Sequence, residues 1–273
     1  MIGTIFINGH PGDGRIPVTD SSVLRGDGCF EVLKSYGGRP LGLDEHLDRL
    51  ERSALALRIP LPARADLASW IRKSAEELGD CAVRVVVTRG GSVPNVDDPP
   101  RVIVFSHPWP RGGATTTLYP VKAPWHAAGV DWDLAGAKII SYAPNLSATR
   151  NAQAAGFGDA LLLTSEDIVL EGPTFCVAWV VEGRMETPTL DLGILDSITR
   201  RLVLGLAYEL GIEVIEGRWP FSRIADASEV MALSTVREVQ GVTAVGGHSF
   251  RHGPVTQRLG DAFGGLISDQ SGN

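Results

Sequence analysis

A seven-residue break near the middle of the chain constrains the possible folds more than any other feature. The stretch His107-Pro108-Trp109-Pro110-Arg111-Gly112-Gly113 holds two prolines and two glycines, and such a composition interrupts both helices and strands. Alternating strand patterns and amphipathic helix patterns are mixed on both sides of it. We therefore predict an α/β (α+β) protein with a small domain over residues 1–107, an interdomain linker over 108–113 and a larger domain over 114–273.

Hydrophobic periodicity predicts most of the individual elements. Short apolar or alternating runs bounded by glycine and proline are typical of strands, and apolar residues recurring every three or four positions are typical of helices. The predicted strands cover residues 4–8, 30–36, 82–88, 101–106, 115–119, 160–164, 176–181, 184–186 and 229–233. The predicted helices cover residues 43–57, 66–78, 145–155, 198–210 and 255–266.

Composition and charge exclude several classes of function. The net charge is −7 and the basic residues are scattered, so we expect neither a nucleic-acid surface nor an anionic-membrane surface. The three cysteines are far apart, which is typical of reduced thiols and favours a cytoplasmic location. We expect no signal peptide and no membrane span. The six histidines show no metal-ligand spacing, so no metal site is expected.

Lysine is rare, which narrows the search for amine chemistry. Only four of the 25 basic residues are lysines, at positions 34, 73, 122 and 138. Lys138 differs from the others because it lies between Leu134-Ala135-Gly136-Ala137 and Ile139-Ile140. Burial in apolar surroundings lowers the pKa of a lysine amine and makes it a nucleophile toward aldehydes. The alternative is a strand lysine whose amine reaches out to solvent.

Four separated segments together resemble one enzyme family. They are Leu24-Arg25-Gly26-Asp27-Gly28-Cys29-Phe30-Glu31, then Glu45-His46-Leu47-Asp48-Arg49-Leu50, then Lys138 followed by Glu171-Gly172, and finally Leu192-Gly193-Ile194-Leu195-Asp196-Ser197-Ile198-Thr199-Arg200. In this order they resemble the class IV aminotransferases, pyridoxal 5′-phosphate (PLP) enzymes of fold type IV. That family includes D-amino-acid and branched-chain aminotransferases and aminodeoxychorismate lyase. The resemblance implies a two-domain fold of that type.

The resemblance implies a catalytic role for Lys138 and cofactor contacts for Glu171 and Tyr142. Lys138 matches the lysine that carries PLP as a Schiff base, and Glu171 matches the glutamate that meets the pyridine nitrogen. Tyr142 stands where some members have a tyrosine facing the cofactor's 3-oxygen. The alternatives are that Glu171 is a turn residue before Gly172 and that Tyr142 is merely packed on a strand.

The phosphate of PLP has several predicted ligands. Arg49 matches the phosphate-binding arginine, and a guanidinium suits phosphate oxygens; the alternative is a surface pair with Glu45. The amides at the start of a helix bind anions, which applies to Ile198 and Thr199. The resemblance adds a pair of hydroxyl side chains, Ser234 and Thr235.

Three residues are candidates for contact with the substrate. Arg25 and Arg89 lie where the resemblance places pocket residues, and arginine is the natural ligand of a carboxylate, so both favour an amino-acid substrate. Phe30 stands where typical D-alanine aminotransferases have tyrosine. The sequence also departs from the family pattern at Ser141, Cys176 and Ser197.

These features lead to one expected activity with open alternatives. We expect a PLP-dependent transaminase acting on a D-amino acid and a 2-oxo acid, with Lys138 moving the proton. The alternatives are aminodeoxychorismate lyase, which releases pyruvate and 4-aminobenzoate, a branched-chain aminotransferase, and a PLP-binding protein without catalysis. The resemblance further implies a homodimer whose only other partners are small molecules.

Overall fold

The computed structural model describes residues 2–91, 98–109 and 113–271, which form two compact units. Unit 1 comprises Met1–Pro110, Ala137–Tyr142 and Ile267–Asn273, and unit 2 comprises Arg111–Gly136 and Ala143–Leu266. The segment around Lys138, which the sequence assigned to the larger domain, groups with unit 1. Residues 110–112 of the expected linker lie outside the described residues, and the proposed domain boundaries stay a prediction.

Unit 1 is built on a six-stranded antiparallel sheet. Its strands lie in the order β2-β1-β6-β5-β3-β4, and β3 pairs with β5 from Gly28↔Thr88 to Ser35↔Cys81. The strands are β1 (Ile5–Ile7), β2 (His10–Gly12), β3 (Gly28–Tyr36), β4 (Arg39–Pro40), β5 (Cys81–Thr88) and β6 (Arg101–Pro108). The helices are α1 (Ser21–Arg25), α2 (Leu43–Ala56) and α3 (Arg64–Leu78).

The core of unit 1 lies between the sheet and the longer helices. Leu47 and Leu50 of α2 and Ile71 of α3 pack with Leu33 of β3 and Val85 of β5. Burying such side chains is the main stabilising contribution to the unit. The same face of α2 also buries His46 and Arg49, which places two polar side chains against β3. A polar group in such a position requires a partner, and β3 supplies one.

Unit 2 contains a mixed sheet of eight strands. Seven lie in the order β11-β10-β9-β12-β13-β7-β8, and β14 pairs with β13. The strands are β7 (Thr115–Lys122), β8 (Asp159–Leu163), β9 (Cys176–Val181), β10 (Arg184–Pro188), β11 (Val214–Gly217), β12 (Glu229–Ser234), β13 (Glu238–Val245) and β14 (His248–Ser249). The helices are α4 (Ala143–Ala154), α5 (Ile198–Glu209) and α6 (Pro254–Ser271). Buried Trp179 lies in an apolar cluster of this unit, where it packs edge-to-face on Trp219.

The expected mixed α/β class is confirmed, since both units combine a sheet with helices. Six elements were not predicted: the short α1, β2, β4, β11 and β14, and the eight-residue strand β13. Within the described residues, none of the helices has the length and apolar character needed to cross a membrane.

Candidate active site

Lys138 lies on an irregular segment that is tied to β3 and α2. The Phe30 amide donates to the Lys138 carbonyl at 3.0 Å, and the Ile140 amide donates to the Gly28 carbonyl at 2.9 Å. The Lys138 amide donates to Ser53 Oγ of α2 at 3.0 Å. Backbone hydrogen bonds on both sides therefore fix the position from which this half-buried side chain extends.

The Lys138 amine lies over an aromatic ring. Its Nζ atom lies 4.5 Å from the centroid of the Phe30 ring, within the range of a cation–π contact. The Phe30 ring in turn packs edge-to-face on Tyr142, with centroids 5.3 Å apart. The structure thus brings three of the predicted residues together, on β3 and on the segment that follows Ala137.

Arg49 is anchored by a buried carboxylate. Its Nε and Nη2 atoms donate to the two oxygens of Glu31, both at 2.7 Å, and His46 Nδ1 lies 2.7 Å from Glu31 Oε2. Glu31 is 1% exposed and Arg49 is 4% exposed. Such a bidentate pair fixes the plane of the guanidinium. Arg49 is therefore oriented by Glu31, fifteen or more residues away in sequence from either partner.

Burial and charge act in opposite directions on this cluster. Burial alone would raise the pKa of Glu31, but the charge and hydrogen bonds of Arg49, together with His46, outweigh it and bring the pKa well below its usual range. Burial lowers the pKa of His46, and the nearby charges of Arg49 and Lys138 lower it further. The charge and hydrogen bond of Glu31 act in the opposite direction but do not outweigh them. Glu31 is consequently charged across the physiological pH range.

The two arginines predicted to bind substrate lie in different surroundings. Arg25 is exposed in the last turn of α1. Arg89 is held inside the unit: its Nε and Nη2 atoms donate to Asp27 at 2.5 and 3.1 Å, and Nη2 also donates to the Leu57 carbonyl at 2.6 Å. These bonds tie the Gly26-Asp27-Gly28 turn to the end of α2, and they leave Arg89 little capacity for a substrate carboxylate.

Glu171 lies in unit 2, on the loop between β8 and β9. Its Oε2 atom accepts the Leu195 amide at 3.2 Å, and Oε1 faces His126 Nε2 at 3.6 Å. The following glycine is required by packing, because a Cβ at Gly172 would lie 2.1 Å from the ring of Phe175. The turn after Glu171 therefore has a fixed shape, and the carboxylate is only 14% exposed.

The amides predicted to bind phosphate begin α5. Ser197 caps this helix, and its Oγ atom accepts the Arg200 amide at 3.3 Å. In the part of the chain that the structure describes, the Ile198 and Thr199 amides donate no hydrogen bond, as expected for the first turn of a helix. Serine in place of the family's glycine thus adds a cap without using the two amides.

Ser234 and Thr235 lie at the end of β12, also in unit 2. Ser234 Oγ accepts the Arg237 amide at 3.1 Å. The Arg237 side chain donates to Asp159 at 2.6 Å and to Gln240 at 2.7 Å, and it lies 4.6 Å from the Phe175 ring centroid. Arg237 therefore braces the turn that carries the two hydroxyl groups.

Several residues around these side chains were not identified as functional from the sequence. Glu31 and His46 belong to the quoted motifs, so the motifs themselves were the signal, but no role was assigned to them. Asp27 also lies in a quoted motif without having been assigned a role, whereas Ser53, His126 and Arg237 carry no sequence pattern that points to a site. Their partners are distant in the chain, and only the folded structure brings them together.

The chemistry of these groups fits PLP. Unit 1 offers an amine that is positioned by backbone bonds and an arginine that is fixed in orientation. Unit 2 offers a carboxylate with an amide donor, and the amides of a helix start that are suited to a phosphate. Among the described residues no group of three or more metal-binding side chains is found.

Comparison with known proteins identifies the family. The chain is 29% identical to a putative branched-chain-amino-acid aminotransferase of Methanocaldococcus jannaschii, in an alignment that covers 95% of this chain and 94% of that protein. It is 27% identical to the aminodeoxychorismate lyase of Bacillus subtilis (88% and 86% covered) and 26% identical to a D-alanine aminotransferase of Listeria monocytogenes (95% and 94%).

A solved structure gives the same result. The branched-chain amino acid aminotransferase of Escherichia coli superposes with a TM-score of 0.90 at 26% identity, covering 99% of this chain and 96% of that one. The family model described as amino-transferase class IV matches residues 28–245. The chain therefore belongs to the class IV aminotransferases, which are PLP-dependent enzymes.

Proposed function

We propose that this enzyme transfers an amino group between a D-amino acid and a 2-oxo acid, with Lys138 as the residue that binds PLP and moves the proton. The observation that carries the proposal is the fixed position of Lys138, whose backbone is bonded to β3 and α2 and whose amine lies over Phe30. Bound PLP supplies an electron sink that makes the α-hydrogen of an attached amine acidic. The Lys138 amine, at Nζ, would be the group that accepts this proton and returns it.

The remaining predicted residues have supporting roles in the proposal. Glu171 would pair with the pyridine nitrogen. The phosphate would be held by Arg49, the Ile198 and Thr199 amides, and the Ser234 and Thr235 hydroxyls. Tyr142, which packs on Phe30, would contact the 3-oxygen.

The choice of substrate rests on the surroundings of two arginines and on one relative. Arg25 is exposed on the turn that precedes Phe30 and could bind an α-carboxylate, whereas Arg89 is bonded to Asp27 and the end of α2. We therefore assign the substrate contact to Arg25 and a positioning role to Arg89. The D-alanine aminotransferase of L. monocytogenes, similar over most of its length, supports a D-amino acid.

Two alternatives have support of the same kind. The M. jannaschii relative favours a branched-chain amino acid, and the B. subtilis relative favours elimination of pyruvate from aminodeoxychorismate. A homodimer and a cytoplasmic location also stay proposals. Sedimentation of the holoenzyme tests the first, and a monomer at working concentration would contradict it; cell fractionation tests the second.

The test of the role of Lys138 is spectroscopic. Purified enzyme should show the visible absorbance band of lysine-bound PLP, and Lys138→Ala should lose it while still folding. Lys73→Ala is the matched control, because Lys73 is exposed on α3 and should leave the band unchanged. A band that survives in Lys138→Ala would overturn the proposal.

The test of the substrate uses the same band. Addition of D-alanine, L-leucine or aminodeoxychorismate separates the three reactions, since each substrate that is processed changes the absorbance. Conversion of the band by D-alanine alone supports the proposed activity. Conversion by L-leucine alone, or release of 4-aminobenzoate alone, would replace it with the corresponding alternative.

A further inference from the structure

His126 belongs to unit 2 and lies beside the carboxylate of Glu171. Its Nε2 atom is 3.6 Å from Glu171 Oε1, and both side chains are 14% exposed. The other oxygen of Glu171 is bound by the Leu195 amide at 3.2 Å. The Leu195 amide and the His126 ring therefore approach the carboxylate on different oxygens, and between them they define its orientation.

The segment that carries His126 is connected by hydrogen bonds to the loop that carries Glu171. Asn145 of α4 accepts from Trp125 Nε1 at 3.1 Å and donates to the Pro173 carbonyl at 3.2 Å. Trp125 precedes His126, and Pro173 follows Glu171 by two residues. One amide side chain thus sets the spacing between the histidine and the carboxylate.

The second donor is fixed in a similar way. Cys176 Sγ lies 3.7 Å from the Leu195 carbonyl, within the range of a weak thiol hydrogen bond. The Leu195 peptide therefore contacts Glu171 through its amide and is anchored next to the strand that starts at Cys176. This contact gives a physical role to one position at which the sequence departs from the family pattern.

The surroundings of the buried Nδ1 atom determine which ring nitrogen of His126 carries the proton. Nδ1 is buried and has no hydrogen-bond partner within the described part of the chain. A proton on Nδ1 would be an unsatisfied buried donor, which is unfavourable. The neutral tautomer with its proton on Nε2 is favoured, so that the N–H faces Glu171.

From this geometry we infer that His126 is a positioning residue for the reaction: its Nε2 atom faces Glu171 Oε1 at 3.6 Å and orients the carboxylate that would pair with the pyridine nitrogen of PLP. The inference rests on the proposed role of Glu171. Partners that orient a carboxylate set how well it pairs with the group it faces, so loss of the histidine would weaken the pairing with the pyridine nitrogen.

The experiment measures the protonation of the pyridine nitrogen directly, through its ¹⁵N resonance in the holoenzyme loaded with ¹⁵N-labelled PLP. His126→Phe removes the donor, His126→Gln offers an amide that reaches the Nε2 position, and His126→Asn offers one that is too short. His248→Phe, on exposed β14, is the control. The measured quantities are the ¹⁵N resonance, the affinity for PLP and kcat.

We expect His126→Phe and His126→Asn to move the resonance toward the unprotonated form and to lower kcat about tenfold, the size expected for one hydrogen bond to a charged group. Affinity for PLP should change by less than about twofold, because the phosphate ligands are untouched. His126→Gln and His248→Phe should resemble the wild type. If His126→Phe does not fold, the comparison of Asn with Gln still tests the role.

Failure of the inference and failure of the proposed function give different results. A resonance that moves in Glu171→Gln but not in the Phe and Asn variants of His126 overturns the inference and leaves the role of Glu171 intact. Equal losses in the Gln and Asn variants, accompanied by weak PLP binding, would mean a structural role and would also overturn it. No movement in Glu171→Gln would overturn both.

Discussion

Replacing Glu31 by glutamine should destabilise the protein strongly, because it leaves the charge of Arg49 buried without a counter-charge. Glu31 is 1% exposed and receives three hydrogen bonds of 2.7 Å from Arg49 and His46. Breaking a buried ion pair by removing one partner costs about 3–5 kcal/mol. Glutamine keeps the shape and one acceptor oxygen, so we expect about 3 kcal/mol at neutral pH.

The assay is equilibrium urea unfolding of the PLP-free protein, in which ligand binding does not contribute to stability. Glu51→Gln is the matched control, since Glu51 lies on α2, the helix that carries Arg49, and contacts Arg64 at the surface. An exposed ion pair contributes about 0–1 kcal/mol, so the control should lose little. Glu31→Gln should also weaken PLP binding if Arg49 is a phosphate ligand.

The pH dependence gives a second check on the same pair. The charge and hydrogen bonds of Arg49 and His46 hold the folded-state pKa of Glu31 below its ordinary value of 4.5. A carboxyl whose pKa is lowered by folding contributes stability that is complete above the unfolded pKa and declines as the pH falls below it. The stability difference between wild type and Glu31→Gln should therefore be constant from pH 7 to about 5 and should shrink below about 4.5. Equal stability at pH 7, or a difference that stays constant to pH 3, would refute this reasoning.

Two further substitutions follow from contacts in the structure. Arg89→Ala should destabilise the apoprotein by about 2 kcal/mol in urea unfolding, because Asp27 loses a charged partner and the end of α2 loses a donor; weaker amino-acid binding at unchanged stability would instead restore a substrate role. Ser197→Ala should cost about 1 kcal/mol through loss of the α5 cap, whereas Ser197→Gly should cost only a few tenths. Equal stability of the alanine and glycine variants would exclude the cap as the cause.

The elements that could be predicted from sequence are those whose apolar residues repeat over a sufficient length. The predicted helix 43–57 matches α2 to within one residue, and the predicted strand 229–233 matches β12 equally well. In contrast, α1 has five residues, too few to display a helical period, and only its cap Asp20 could have indicated it. The β13 strand escaped prediction because it begins at Glu238 with a positive φ of 54° and contains a glycine.

The candidate site likewise contains residues that a local sequence pattern indicates and residues that become neighbours only in the folded chain. Lys138 could be selected because few lysines exist and one lies in an apolar run. The surroundings of Arg49 could not be predicted, because Glu45 is adjacent on the helix whereas Glu31 becomes a neighbour only when β3 packs on α2. His126 is a stronger example, since its relation to Glu171 depends on a loop, a helix and the Asn145 side chain together.

The two N-terminal motifs are physically one unit. A charged arginine at a core position of α2 is tolerable only with a buried carboxylate opposite, and the glutamate that closes the first motif is that carboxylate. The histidine of the second motif lies 2.7 Å from Oε2 of the same glutamate, the oxygen that also accepts from Arg49 Nη2. A change at Glu31 therefore removes the partner of both His46 and Arg49, and the spacing of the motifs reflects the packing of α2 on β3. Phe30, the neighbour of Glu31, points to the opposite face of the same strand and contacts Lys138, so one short strand positions both the arginine and the lysine.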